Sequence, residues 1–131
     1  MSGRDEALRM ARIGRKDLKV LRGMTDAETF DEEAFGFHAQ QAVEKALKSW
    51  ISLRNREYPH THDLGRLINI LESQGEDCGR FVDLADLSSF AVQFRYEDYP
   101  VGEEELDRSG IIERVAELFE HVESLCDSDE K

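Results

Sequence analysis

The sequence predicts an all-α protein, an up-and-down four-helix bundle with one additional helix, five helices in all. Three observations predict it. Apolar residues recur at three- and four-residue steps along most of the chain, only two prolines interrupt its 131 residues, and no β-branched run or two-residue alternation occurs. A chain of this length forms one domain. We place that domain at residues 1–126, followed by an acidic tail, 127–131, with no apolar anchor and therefore frayed.

Helix one is expected from about Arg4 to Gly23. Ala7, Met10, Ala11, Leu18 and Leu21 share one face, Gly14 in the same stripe permits close approach of a neighbour, and Arg9, Arg12, Arg15, Lys16, Lys19 and Arg22 fan across the other. After the turn-rich linker Met24 to Asp31, in which Thr29 or Asp31 is suited to cap, comes the helix around which the chain is organised. In Phe35 to Arg54, the residues Phe35, Ala39, Ala42, Val43, Ala46, Leu47, Trp50 and Ile51 span an arc too broad for a surface helix, so neighbours are expected on more than one side. Gln40 falls inside this arc, either at a helix or subunit seam or at a wetted edge. His38, Gln41, Lys45, Lys48 and Ser52 fall on the opposite, solvent face, with Glu44 and Lys48 spaced to pair along it.

The helix must stop before Pro59, because proline lacks a backbone donor and restricts the residue before it. Thr61 or Asp63 caps helix three, in which Leu64, Leu67, Ile68 and Leu71 keep helical spacing up to Gly75. Helix four turns Phe81, Leu84, Leu87, Ala91 and Phe94 inward. An acidic, turn-rich stretch, Arg95 to Glu105, precedes helix five, about Leu106 to Cys126, with Ile111, Val115, Leu118, Phe119, Val122 and Leu125 on one side.

The net charge of −12 argues against a general nucleic-acid coat, which needs dense cationic surface. The charge is unevenly spread: residues 1–22 sum to +4 and the remainder to −16. An acidic body bearing one basic helix is matched to its own kind, to an acidic partner or to a short stretch of RNA. No apolar run approaches the ~18 residues of a membrane span, and the N-terminus lacks the apolar core of a signal peptide, so a cytoplasmic protein is expected. Cys78 and Cys126 are read as two reduced thiols. No His or Cys spacing fits a zinc site, so neither metal nor cofactor is expected.

Three blocks in order, FHAQQAVEKALKSW, PHTHDLGRLINIL and FRYEDYP before a last amphipathic helix, resemble the HEPN domain family over roughly Ala7 to Leu125. The resemblance implies a small helical bundle, usually a homodimer, found in prokaryotes as a stand-alone protein often encoded beside a minimal nucleotidyltransferase. It further implies nucleotide binding, membership of toxin–antitoxin pairs or, in some branches, metal-independent RNA cleavage.

Cleaving branches use an Arg followed, after four to six residues, by a His. The imidazole moves the proton of a ribose hydroxyl or leaving oxygen, and the guanidinium holds the phosphate as charge builds. Arg54 to His60 and Arg56 to His62 each have five intervening residues, which makes these four the catalytic candidates. Their position between helices two and three differs from the later place the cleaving branches use, and the structural alternative is that His62 and Asp63 secure a helix N-terminus. Arg95 and Tyr96 suit a phosphate and a stacked base, or Arg95 ties the acidic loop Glu97, Asp98 and Glu103 to the bundle while Tyr99 packs. Lys45 and Lys48 are further binding candidates or merely solubilise their helix. Two functions follow: a homodimeric module recognising a nucleotidyltransferase, with nucleotide or RNA as possible ligand, or a metal-independent ribonuclease acting as a toxin.

Overall fold

The computed structural model describes residues 3–91 and 106–128. Its order is α1 (Gly3–Arg22), α2 (Glu32–Leu53), α3 (Leu64–Ser73), a 3-10 helix (Gly79–Ser89) and α4 (Arg108–Ser128), with no strand among the described residues. The all-α expectation of five helices therefore holds. Among the described residues no helix is long and apolar enough to cross a membrane.

The centre is α2, which packs against α1, α3, the 3-10 helix and α4. Phe35, Ala39, Ala42, Val43, Ala46, Leu47 and Ile51 are wholly buried and Trp50 nearly so, as the broad apolar arc requires. The predicted solvent face is corrected by the structure: Lys48 and Ser52 are buried, at 8% and 5% exposed. The reason is tertiary. The start of α1 lies along this face, with the Ser49 hydroxyl donating to the Ala7 carbonyl at 2.6 Å, and the Tyr58 ring covers Lys48 at 5.4 Å.

Helix ends follow local chemistry. Asp31 holds the N-cap position of α2 in extended backbone without a side-chain cap bond, while Thr29 donates to Asp26 in the preceding turn. Asp63 caps α3, accepting from the Arg66 amide at 3.3 Å. α2 ends at Leu53, and Asn55 reverses the chain at φ 61°, a left-handed conformation asparagine tolerates better than most residues. Gly75 does the same after α3 at φ 85°.

The fourth helix differs in kind from the expected α-helix. Phe81, Leu84, Leu87 and Phe90 recur every three residues and are all buried, the period of a 3-10 helix, whose side chains eclipse at three-residue steps. Phe90 is inward and Ala91 half-buried, whereas Phe94 lies outside the described residues. α4 is tied to the α1–α2 connection by Arg108, 7% exposed, whose guanidinium bonds the Met24 and Phe30 carbonyls at 2.8 and 2.6 Å and pairs with Glu32. Cys78 and Cys126 are free and buried, and burial, with help from Glu72, Glu76 and Asp77, pushes the Cys78 thiol up to about 12.

Gly14 sets the α1–α4 distance. A Cβ there would stand 2.6 Å from the Phe119 ring and 3.0 Å from the Lys45 Cβ. Gly14→Ala is expected to cost about 1–3 kcal/mol by overpacking, minus the roughly 1 kcal/mol by which alanine is the better helix former. Urea denaturation should show a lower midpoint with an unchanged slope.

Candidate functional site

The four catalytic candidates, Arg54, Arg56, His60 and His62, lie in the α2–α3 connection, and the structure sends them in three directions. Arg54, at the C-cap of α2, bends towards the α3–3-10 turn, where its Nε donates to Glu76 Oε1 at 2.9 Å. The Trp50 indole N–H donates to the same oxygen at 2.8 Å. Burial raises the Glu76 pKa, but these two bonds and the Arg54 charge outweigh it and hold the carboxylate below its ordinary value. His121 stacks edge-on against Trp50 at 4.9 Å, and burial, reinforced by the Arg80 charge, lowers its pKa.

His62 goes the other way. Its Nδ1 lies 2.8 Å from Glu44 Oε1, and Glu44, 5% exposed, also accepts from the Gln40 amide at 2.9 Å and from Lys48 Nζ at 2.8 Å. Gln40 is fully buried at this seam, donating also to the His62 carbonyl and accepting from Gln41, so its amide has a partner for each role. Burial pushes the Glu44 pKa up, and the bonds from Lys48, His62 and Gln40 together bring it below the ordinary glutamate value of 4.5.

Arg56 and His60 take the third direction. Both are exposed, and with Gly3, Glu6 and Arg9 of α1 and Ser52, Asn55, Glu57 and Tyr58 they line an open cleft of about 910 Å³. Each predicted Arg–His pair is thus divided between environments, and the cleft unites the Arg of one with the His of the other. Across it, Arg9 grips Glu6 through two bonds of 2.7 and 2.9 Å, and the Tyr58 hydroxyl donates to Glu6 at 3.2 Å. The Arg9 bond leads in lowering the Glu6 pKa, while burial leads in raising that of Tyr58. Sequence spacing carried no signal for Glu6, Arg9 or Tyr58, because α1 and the connection meet only through the fold.

Lys45 lies 2.6 Å from Asp17 of α1, which also receives His38 at 3.2 Å. Lys48 is buried against Glu44, so both lysines are held in internal ion pairs. Arg95 and Tyr96 lie outside the described residues. A guanidinium and an imidazole sharing an open cleft are chemically suited to an anion such as a phosphate.

The Glu44 network makes a prediction with a definite sign. Because the folded pKa of Glu44 is depressed, its contribution is fully present above the unfolded value of about 4.5 and is lost as pH falls through the folded value. Glu44→Gln leaves the Lys48 ammonium without a counter-charge and is expected to cost about 3 kcal/mol at pH 6. Denaturation from pH 6 down to pH 2 should show that deficit shrinking once wild-type Glu44 is protonated.

A family model described as HEPN domain matches residues 7–125. No curated protein and no solved structure gives a significant match. The matched span contains α2, the α2–α3 connection and nearly all of α4, and the chain belongs to the HEPN domain family.

Proposed function

We propose that this HEPN chain is a recognition module: a homodimer that associates with a minimal nucleotidyltransferase and takes a nucleotide or short RNA in the cleft beside α1. The observation carrying this reading is the division of the candidate side chains. Arg54, His62, Lys45 and Lys48 are bonded to carboxylates of the same chain, whereas the side chains of Arg56 and His60 have no hydrogen bond or ion pair among the described residues and face open space. Positively charged groups already holding carboxylates are poor phosphate ligands, and groups facing solvent are good ones. Glu6 and Glu57 on the cleft wall favour a ligand with one or two phosphates in defined positions over a long polyanion.

A metal-independent ribonuclease, the toxin of a toxin–antitoxin pair, is the second reading. Its support is that Arg56 and His60 share one cleft, a phosphate clamp beside an acid–base group. In that reading His60 moves the proton. His62, bonded to Glu44, orients the connection, and Arg54 serves Glu76.

Calorimetry with ATP and with a single-stranded oligoribonucleotide tests the first reading. Arg56→Ala and His60→Ala should each weaken binding about tenfold, the loss of one charge-assisted hydrogen bond, while Lys45→Ala leaves it unchanged. Equal affinity in wild type and both cleft variants would remove the cleft from consideration. Incubation of the protein with labelled RNA in EDTA separates the readings: cleavage abolished by His60→Ala and retained in His62→Ala establishes the ribonuclease, and intact RNA eliminates it.

A further inference from the structure

Two arginines line the cleft, and they are in opposite states. The Arg56 side chain has no hydrogen bond or ion pair among the described residues, whereas Arg9 is held by an acid that lines the cleft with it. Nε and a terminal nitrogen of Arg9 donate to the two oxygens of Glu6 at 2.7 and 2.9 Å. This is the fork geometry in which a guanidinium also grips a phosphate.

The pair has no task in holding the bundle together. Arg15, Arg54, Arg108 and Arg114 each bond a carboxylate on another part of the chain, while the carboxylate on Arg9 stands three residues away on the same helix. Arg9 is 47% exposed, and an exposed pair one turn apart on a helix contributes little to folding. Nothing in the fold requires Arg9 to stay on Glu6.

Glu6 also has a second partner. The Tyr58 hydroxyl donates at 3.2 Å to the oxygen that accepts from the Arg9 terminal nitrogen, so the carboxylate keeps a donor when the guanidinium leaves. The Arg9 bond holds the Glu6 pKa below its ordinary value, which leaves the carboxylate charged throughout the neutral range. Glu57 supplies the contrast. It lines the same cleft and is exposed, with no hydrogen bond or ion pair among the described residues. Both acids repel a phosphate, but of the two only Glu6 occupies a group that would bind it.

We propose that Glu6 sets the anion affinity of the cleft: its carboxylate occupies the Arg9 guanidinium in competition with the phosphate of a nucleotide, which gains Arg9 only by displacing it. The inference rests on the reading of the cleft as a nucleotide site and names the residue that limits it. A phosphate can replace the carboxylate on the fork oxygen for oxygen, so the guanidinium keeps two acceptors through the exchange. What opposes the exchange is the lost Glu6 contact and the like charge of the released carboxylate.

Calorimetric titration of the full chain with ATP tests it, with folding checked by circular dichroism. A neutral amide holds a guanidinium more weakly than a carboxylate does, so Glu6→Gln should tighten binding about tenfold, the gain of one charge-assisted hydrogen bond. Glu57→Gln removes the same charge without releasing an arginine and should tighten it only about twofold. In an Arg9→Ala background Glu6→Gln should likewise give about twofold, which isolates the Arg9 contribution as a double-mutant cycle. Equal gains from Glu6→Gln and Glu57→Gln, or a tenfold gain that persists without Arg9, overturn the proposal. If Arg56→Ala and His60→Ala weaken binding while Glu6→Gln leaves it unchanged, the nucleotide site stands and the competition falls. No ATP binding by the wild type or by any variant removes the site and the proposal together.

Discussion

A helix buried over most of its circumference has to satisfy its inward polar groups inside the protein, and in this molecule the Glu44 carboxylate does much of that work for α2. Gln40 and Lys48, one turn to either side, reach it along the helix, and His62 reaches it from the following connection. An unpaired buried lysine or glutamate would be costly, so these groups are useful only together. Their meeting also decides where the chain goes after Leu53. With the His62 carbonyl held by Gln40 and its ring by Glu44, the α2–α3 connection has little freedom at its far end.

The near end of the connection is held by a second carboxylate with a similar task. Glu76 receives Trp50 and Arg54 on one oxygen, joining the end of α2 to the turn after α3. Between these two anchors, Asn55 to His60 swings outward over the start of α1. The cleft is a consequence of that path, and Arg56 and His60 within it are the side chains that neither carboxylate claims. The division of labour is electrostatic: a guanidinium or imidazole within reach of a buried carboxylate becomes structural, and one beyond reach stays available to a ligand.

The same sorting runs along α1. Its inner residues are small or apolar, with Gly14 allowing Phe119 to approach, and its flanking arginines find acids or carbonyls nearby. What remains is a stripe of positive charge, Arg12, Lys16, Lys19 and Arg22, on an otherwise acidic protein. Such asymmetry is a property of whole surfaces. It governs association and solubility more than fold.

Much of the architecture was legible in the sequence because it rests on local rules. Period and proline placement determined the helices, Asp63 and Gly75 marked ends, and the breadth of the apolar arc identified α2 as the central helix. The three ordered blocks identified the family. Two features with a local signal were harder to see: the three-residue period of Phe81, Leu84, Leu87 and Phe90, and the caps for which two residues qualified. The site was decided by tertiary structure alone. Whether Lys48 is a surface lysine or a buried ion-pair partner depends on the cover that α1 and Tyr58 supply from distant parts of the chain. Which Arg meets which His depends on Glu44 and Glu76, neither of which lies in the Arg–His motif. Spacing along a chain specifies what can be neighbours on one helix, but a loop between helices points its side chains wherever the surrounding carboxylates draw them.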